Sequence, residues 1–195
     1  MTLGAIAFGV AGLILSGGFV RDVYAQLGEA LIHSQTGHLQ IMRNGYYESG
    51  SRSPEKYRIA NVDSLKRTIG ALPEVRDSMA RVDFSGLLNN GRTDWGIVGQ
   101  GVEPDKEAAL GSYLKITAGR QLRDADRDGI LIGKGVAQAL HLAPGDAVTL
   151  LLPTADGGLN TIALRVVAVF QTSSRDFDTP AIPIQLAAAK EILDT

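Results

Sequence analysis

Cysteine is absent from the 195 residues. That excludes disulfides and thiolate metal sites, leaves oxygen and histidine as the only metal ligands, and fits any compartment. Histidine is scarce, present only as His33, His38 and His141. An excess of one charge is also missing: 19 Lys and Arg stand against 21 Asp and Glu, for a net charge of −2. Nothing in that balance points to a nucleic-acid partner. Hydrophobic residues make up 45% of the chain, enough for a real core. The length suits one domain of ordinary size plus an appendage.

Charge is missing most conspicuously at the start. Leu3 to Val20, LGAIAFGVAGLILSGGFV, is a run of 18 uncharged residues. As a helix it spans roughly 27 Å, close to the ~30 Å hydrocarbon thickness of a bilayer. A cleaved signal peptide needs a positive n-region, and none precedes the run, although Val23-Tyr24-Ala25 resembles a poor cleavage site. A buried core helix would carry a polar stripe. A transmembrane helix fits best. Ala5, Gly9, Gly12 and Ser16 recur at i, i+4, i+7 and i+11, which places small residues along one face where another membrane helix can approach. Beyond it Val20, Val23, Tyr24, Leu27, Ala30 and Leu31 keep a 3–4 spacing opposite Arg21, Asp22, Gln26 and Glu29. The helix is therefore expected to leave the membrane as an amphipathic stalk through Val23, Leu27 and Leu31 and to stop near Gly37.

The remainder reads as mixed α+β with several hairpins. HLQIM, residues 38–42, reads as a strand, and RNGYYESGSRSPEKYR as a polar loop. Asn61 is placed to cap a helix through Val62, Leu65, Ile69 and Leu72, stopped by Pro73. Arg76 to Leu88 reads as a strand that turns through NNGR into a partner strand, Asp94 to Val102. A short helix is expected over Glu107 to Leu114. A strand reaching Ile132, a helix over Lys134 to His141, a strand over Val148 to Leu152 and a long strand from Thr161 to Phe170 follow. Between the last helix and strand, Pro144, Gly145 and Asp146 make a structural turn: Pro144 presets φ at its second position and Gly145 tolerates positive φ at its third. From Ile184 a further helix begins.

Several stretches imitate chemistry. DADRDGILIG, Asp124 to Gly133, has the spaced carboxylates and glycine of a calcium loop, but Gly135 stands where the closing bidentate glutamate belongs. An acidic turn feeding a buried strand is the better reading. GILIGKG lacks the spacing and the Ser or Thr of a phosphate loop, and GIVGQGVEP lacks the helix opening and third glycine of a dinucleotide fingerprint. The three histidines have no evident acidic or nucleophilic partner. Asp176 and Asp178 can be read as paired acids, but a turn redirecting the chain is the simpler account. Trp95, Tyr46 and Tyr47 are assigned to core or loop packing rather than to a lipid or partner contact. No cofactor, metal site or catalytic residue is expected.

Six pieces in order carry a family resemblance: the apolar helix with its polar stalk, TGHLQIMRNGYYE, VGQGVEPDKEAAL, ITAGRQL, DGILIGKGVAQALHLAPGDAVTL and LRVVAVFQTSSRDFD. Together they resemble the bacterial ABC-transporter permeases of the MacB, LolC/LolE and FtsX type, over their first transmembrane helix and periplasmic core domain. The resemblance implies a membrane helix and stalk over residues 1–36 and a two-lobed periplasmic core domain over 37–185. One lobe would be porter-like and of βαβ character, the other a small β-rich insertion near 105–160. It further implies the start of a return helix over 186–195. It implies a non-catalytic subunit of the inner membrane, working with a separate ATPase subunit, a second permease subunit, membrane lipid, and a lipoprotein or other periplasmic partner. The family pattern has three more membrane helices after the domain, so the chain is expected to be a fragment or a truncated product. LolC-type members carry a long carrier-binding hook where this chain has only PTADGGLNT, which argues against that role and leaves a LolE-like or general permease role. The reading from a different class is a single-span, membrane-anchored extracytoplasmic binding or sensor module.

Overall fold

The computed structural model describes residues 2–31, 37–50, 54–110, 114–153, 158–172 and 178–193. They divide into two compact units, residues 1–40 and 41–195.

The first unit is dominated by one helix, α1, Thr2–Leu31. Its stretch Thr2–Gly28 is long and apolar enough to cross a membrane. Its described side chains are exposed as far as Leu27. Residues 37–43 form neither helix nor strand. The strand expected over His38–Met42 is therefore corrected: Leu39, Ile41 and Met42 have the right alternation but lie exposed, and alternation makes a strand only where a neighbouring ladder exists to receive it.

The second unit is built on a seven-stranded sheet. The strands are β1 Val82–Asn89, β2 Asp94–Val102, β3 Lys115–Gly119, β4 Gly129–Gly133, β5 Ala147–Pro153, β6 Leu159–Gln171 and β7 Ala181–Gln185. Six of them close a mixed barrel in the ring β6-β4-β7-β2-β1-β5-β6. The β2–β7 and β4–β6 pairs are parallel and the other four are antiparallel. Closure depends on the length of β6. Its Arg165 N–H donates to Asp128 on the β4 side, while the next N–H, of Val166, donates to Asp146 on the β5 side. Successive N–H groups face opposite edges of a strand. The β5 edge is then shared: Leu159–Arg165 pair with β5, and Ala168–Gln171 pair with β3.

The barrel interior is apolar because its strands alternate. Leu88, Ile130, Ile132, Leu150, Leu152, Ile182 and Ile184 are fully buried, and Val136 and Leu140 of α5 (Lys134–Leu140) join the same cluster. Each such side chain contributes about 1.5–3 kcal/mol by leaving water. β4 is buried along its whole length, as its continuous apolar run requires. A smaller cluster of Leu122, Leu131, Ala168, Phe170 and Ala181 lies apart from the main one, with Ile116 of β3 packed against it.

The remaining helices are short. They are α2 Tyr46–Ser49, α3 Val62–Gly70, α4 Pro104–Leu110 and α6 Leu186–Ile192, with a 3₁₀ turn over Pro54–Tyr57. Asn61 does precede α3, but in the left-handed region (φ 58°) and without a side-chain cap bond. No residue of α3 is buried. Three expected boundaries move. Residues 76–81 stay out of β1 because α4 and its flank satisfy their backbone: Lys106 Nζ donates to the Ser78 carbonyl at 2.7 Å and the Ala80 N–H to Glu103 at 3.3 Å. α4 starts at Pro104, whose fixed φ and absent N–H suit a first helical position. The helix expected from Ile184 begins instead at Leu186, after the strand β7.

Candidate functional site

Of the small residues singled out in α1, Gly9, Gly12 and Ser16 are exposed, and a Cβ at either glycine would meet nothing within 4 Å. Val23 and Leu27 are also exposed, 46% and 54%. The Ala5 and Leu31 side chains lie outside the described residues. The polar residues of the later turns begin at Arg21, and Gln26 donates to Asp22 one turn back at 2.6 Å.

The stretches that imitate chemistry are used for packing. Gly99 and Gly101 belong to β2. A Cβ at Gly99 would stand 1.9 Å from the Phe84 ring, and one at Gly101 would stand 2.4 Å from Ala189 of α6. Gly133 and Gly135 serve the same purpose around β7, since a Cβ at Gly133 would reach 2.0 Å from the Asp178 carbonyl oxygen. These glycines let a ring, a helix and a turn approach the strands; no phosphate is needed to explain them.

The acidic stretch is a turn that leads into β4. Asp126 takes both guanidinium nitrogens of Arg120, at 2.6 and 2.7 Å, and the Arg123 N–H at 3.0 Å. The Arg120 bond, helped by the Arg123 N–H, holds its carboxyl below the usual carboxylate range. Asp124 accepts the Asp105 N–H at 3.3 Å and, at its carbonyl, the Gln185 amide. Among the described residues no three His, Asp or Glu side chains are placed to hold a metal ion. Asp178 is buried and accepts the Thr172 N–H and hydroxyl, which ties it to the residue after β6. Asp176 and His33 lie outside the described residues. His38 is exposed, and His141 ends α5 in the left-handed region at φ 53°. Pro144, Gly145 and Asp146 form the turn into β5. The Asp146 N–H returns to the Ala143 carbonyl at 3.1 Å, its carboxylate accepts the Ala143 N–H at 2.8 Å, and Gly145 takes φ 102°. Trp95 is half-buried and donates to the Thr179 carbonyl at 3.3 Å, beside a shallow groove with Gly96 and Pro180. Tyr47 is 96% exposed.

Two polar nodes escaped the sequence reading. Tyr46 donates its hydroxyl to Asp83, which also accepts Gln100 Nε2 at 2.8 Å. Burial and then the adjacent carboxylate push the Tyr46 phenol up to about 12. The second node gathers around α4. Lys66 of α3 pairs with Glu103, Arg81 with Glu107 at 2.6 Å, and Lys106 with Asp77 at 2.8 Å. The Lys106 bond holds the Asp77 carboxyl below its ordinary value and Asp77 holds the Lys106 ammonium above its own. The partners lie 17 to 37 residues apart, and no local periodicity marks them. Their geometry is that of ties between segments.

The MacB-like periplasmic core domain family matches residues 1–194. Among solved structures, the periplasmic region of MacB from Actinobacillus actinomycetemcomitans is similar at 16% identity, with a TM-score of 0.55 over 79% of this chain and 66% of that one. The extracellular domain of the noncanonic ABC-type transporter YknZ from Gram-positive bacteria is similar at 14% identity and a TM-score of 0.54, over 80% of this chain and 75% of that one. At such identity the likeness is one of fold. The chain spans just under two thirds of the MacB region it matches. A long apolar helix, a closed mixed barrel and the match over nearly every residue agree: the chain belongs to the MacB-like periplasmic core domain family, a non-catalytic part of ABC-type transporter permeases.

Proposed function

We propose that the chain is the membrane-anchored, extracytoplasmic part of a permease that couples ATP-driven motion to a periplasmic domain handling a lipoprotein or a lipophilic substrate. Residues 1–36 are the membrane helix and stalk, with Ala5, Gly9, Gly12 and Ser16 facing another membrane helix. Residues 37–185 are the core domain, its inserted lobe near 105–160, and 186–195 begin the return. A separate ATPase subunit supplies the motion, and a second permease subunit, membrane lipid and a periplasmic partner complete the assembly.

The observation that carries this reading is that α1 is one unbroken helix from Thr2 to Leu31, passing without interruption from uncharged residues to a polar stretch that begins at Arg21. Hydrogen bonds along its axis make such a rod stiff, so a displacement at its apolar end arrives at its polar end.

Proline at Leu27 tests the coupling, because it removes one axial hydrogen bond and clashes with the preceding turn, costing ~3 kcal/mol locally. In the intact permease with its ATPase, Leu27→Pro is expected to abolish transport while membrane insertion and ATP binding persist. Unchanged transport by the inserted variant would overturn mechanical coupling.

A further inference from the structure

We propose that residues 43–50 and 54–58 act as a clasp joining the chain that enters the barrel unit to α6, so that a displacement of one is felt by the other. The use of this clasp in transport rests on the permease reading; the linkage itself does not.

Its first attachment is Tyr46. The phenol donates to one oxygen of Asp83 on β1, and the other oxygen accepts Gln100 of β2 at 2.8 Å, so α2 is pinned to two adjacent strands. The second attachment lies inside the segment. Tyr46 and Tyr57 meet edge to face, with centroids 6.2 Å apart and planes at 84°. Gly45, at φ 86°, passes so close that a Cβ would stand 3.0 Å from the Tyr57 ring. Arg43 donates to the carbonyls of Lys56 and Arg58, each at 3.4 Å. The third attachment is Arg58, whose Nη1 donates to the Leu193 carbonyl at 3.2 Å. Asn160 of β6 donates to the neighbouring Ile192 carbonyl at 3.0 Å.

The last attachment has a clear physical cause. The final carbonyls of a helix have no partner within it and carry the negative end of its dipole, so a guanidinium and an amide are the groups that suit them. α6 is itself seated by Ala188, Ala189 and Ile192. Arg58 is therefore the bridge between a helix set in the core and a segment set on β1 and β2. Its reach is 135 residues in sequence, which makes it a linkage between distant segments and not a local turn.

Hydrogen exchange of the 195-residue chain in detergent separates a linkage from ordinary stability. The perturbation is Tyr46→Phe, which removes the Asp83 bond and keeps the ring contact with Tyr57. It is expected to speed exchange of the amides of Leu186–Leu193 about tenfold, with β5 and β6 unchanged. In an Arg58→Gln background the same substitution should have no further effect on α6, because the bridge is already gone. Lys66→Met, which cuts a tie outside the clasp, should leave α6 alone. If Tyr46→Phe loosens residues 43–50 and 54–58 and not α6, or speeds exchange equally through β5 and β6, the clasp is overturned. Transport measurements decide the permease reading separately.

Discussion

Inside the barrel, Leu88, Ile130, Ile132, Leu150 and Ile184 have lost all contact with water. Between Arg43 and Arg81, by contrast, neither helix contributes a buried residue, and the segment is held by Tyr46–Asp83, Lys66–Glu103 and Arg81–Glu107. The two regions lie in one unit and belong to one chain, yet different forces organise them. Apolar burial is non-directional and sums over many contacts, so the barrel opens only as a whole. Ion pairs that keep part of their surface in water, and single hydrogen bonds, sum over few contacts and break one at a time. The segment between α1 and β1 is thus the part of the unit that opens at the lower cost, and the barrel is the more stable body.

The comparison breaks first in the core. Leu150→Ala removes a fully buried side chain from the middle of β5 and should cost about 2–5 kcal/mol, read as a lowered midpoint in urea at unchanged slope. A loss below 1 kcal/mol would mean that the barrel is not the stable body. The periphery gives the opposite expectation. The Lys66 and Glu103 side chains keep 25% and 19% of their surface in water, and solvent screens part of their attraction. Lys66→Met should therefore change global stability by less than about 1 kcal/mol, while exchange of the α3 amides rises. A loss as large as that of Leu150→Ala would erase the distinction between the two regions.

The same division explains what could be read in the sequence. Barrel elements announced themselves. The Ile130–Ile132 run and the Asn90-Gly91 turn between β1 and β2 are local signals with local causes, and both stand where expected. β7 was missed because Pro183 argues against a central strand. It is tolerated in a strand whose pairing with β4 is limited to Ile130 with Ile184, so that flank has N–H groups to spare. β3 was missed because five residues ending in glycine give no period. Closure of the barrel was not legible either: it depends on β6 serving three neighbours, a property of pairing and not of pattern. The ties of the periphery were invisible for a stronger reason. Tyr46–Asp83 and Arg58–Leu193 join positions 37 and 135 apart, and nothing near either member of a pair names the other. His38–Met42 fails in the reverse sense, having a strand's alternation without a strand's neighbour.

The smallest expected effect lies at the acidic turn before β4, where the barrel's rim is held by the same kind of polar tie as the periphery. Asp126 is held below the usual carboxylate range chiefly by its two bonds to Arg120. Its folded pKa is lower than its unfolded one, near 3.9, so the folded protein prefers the ionised form. The stabilisation is present in full above that value and is lost as pH falls through the lower folded one. Arg120 itself is exposed, so the contribution is small and best seen at the group, not in the unfolding midpoint. In an NMR titration the Asp126 carboxyl should titrate below the usual carboxylate range, and Arg120→Gln should bring it up towards that range. A resonance that does not move would show that the turn is held by the Arg123 N–H and the backbone bond from Gly129 to Asp126, and that the rim, unlike the periphery, needs no ion pair.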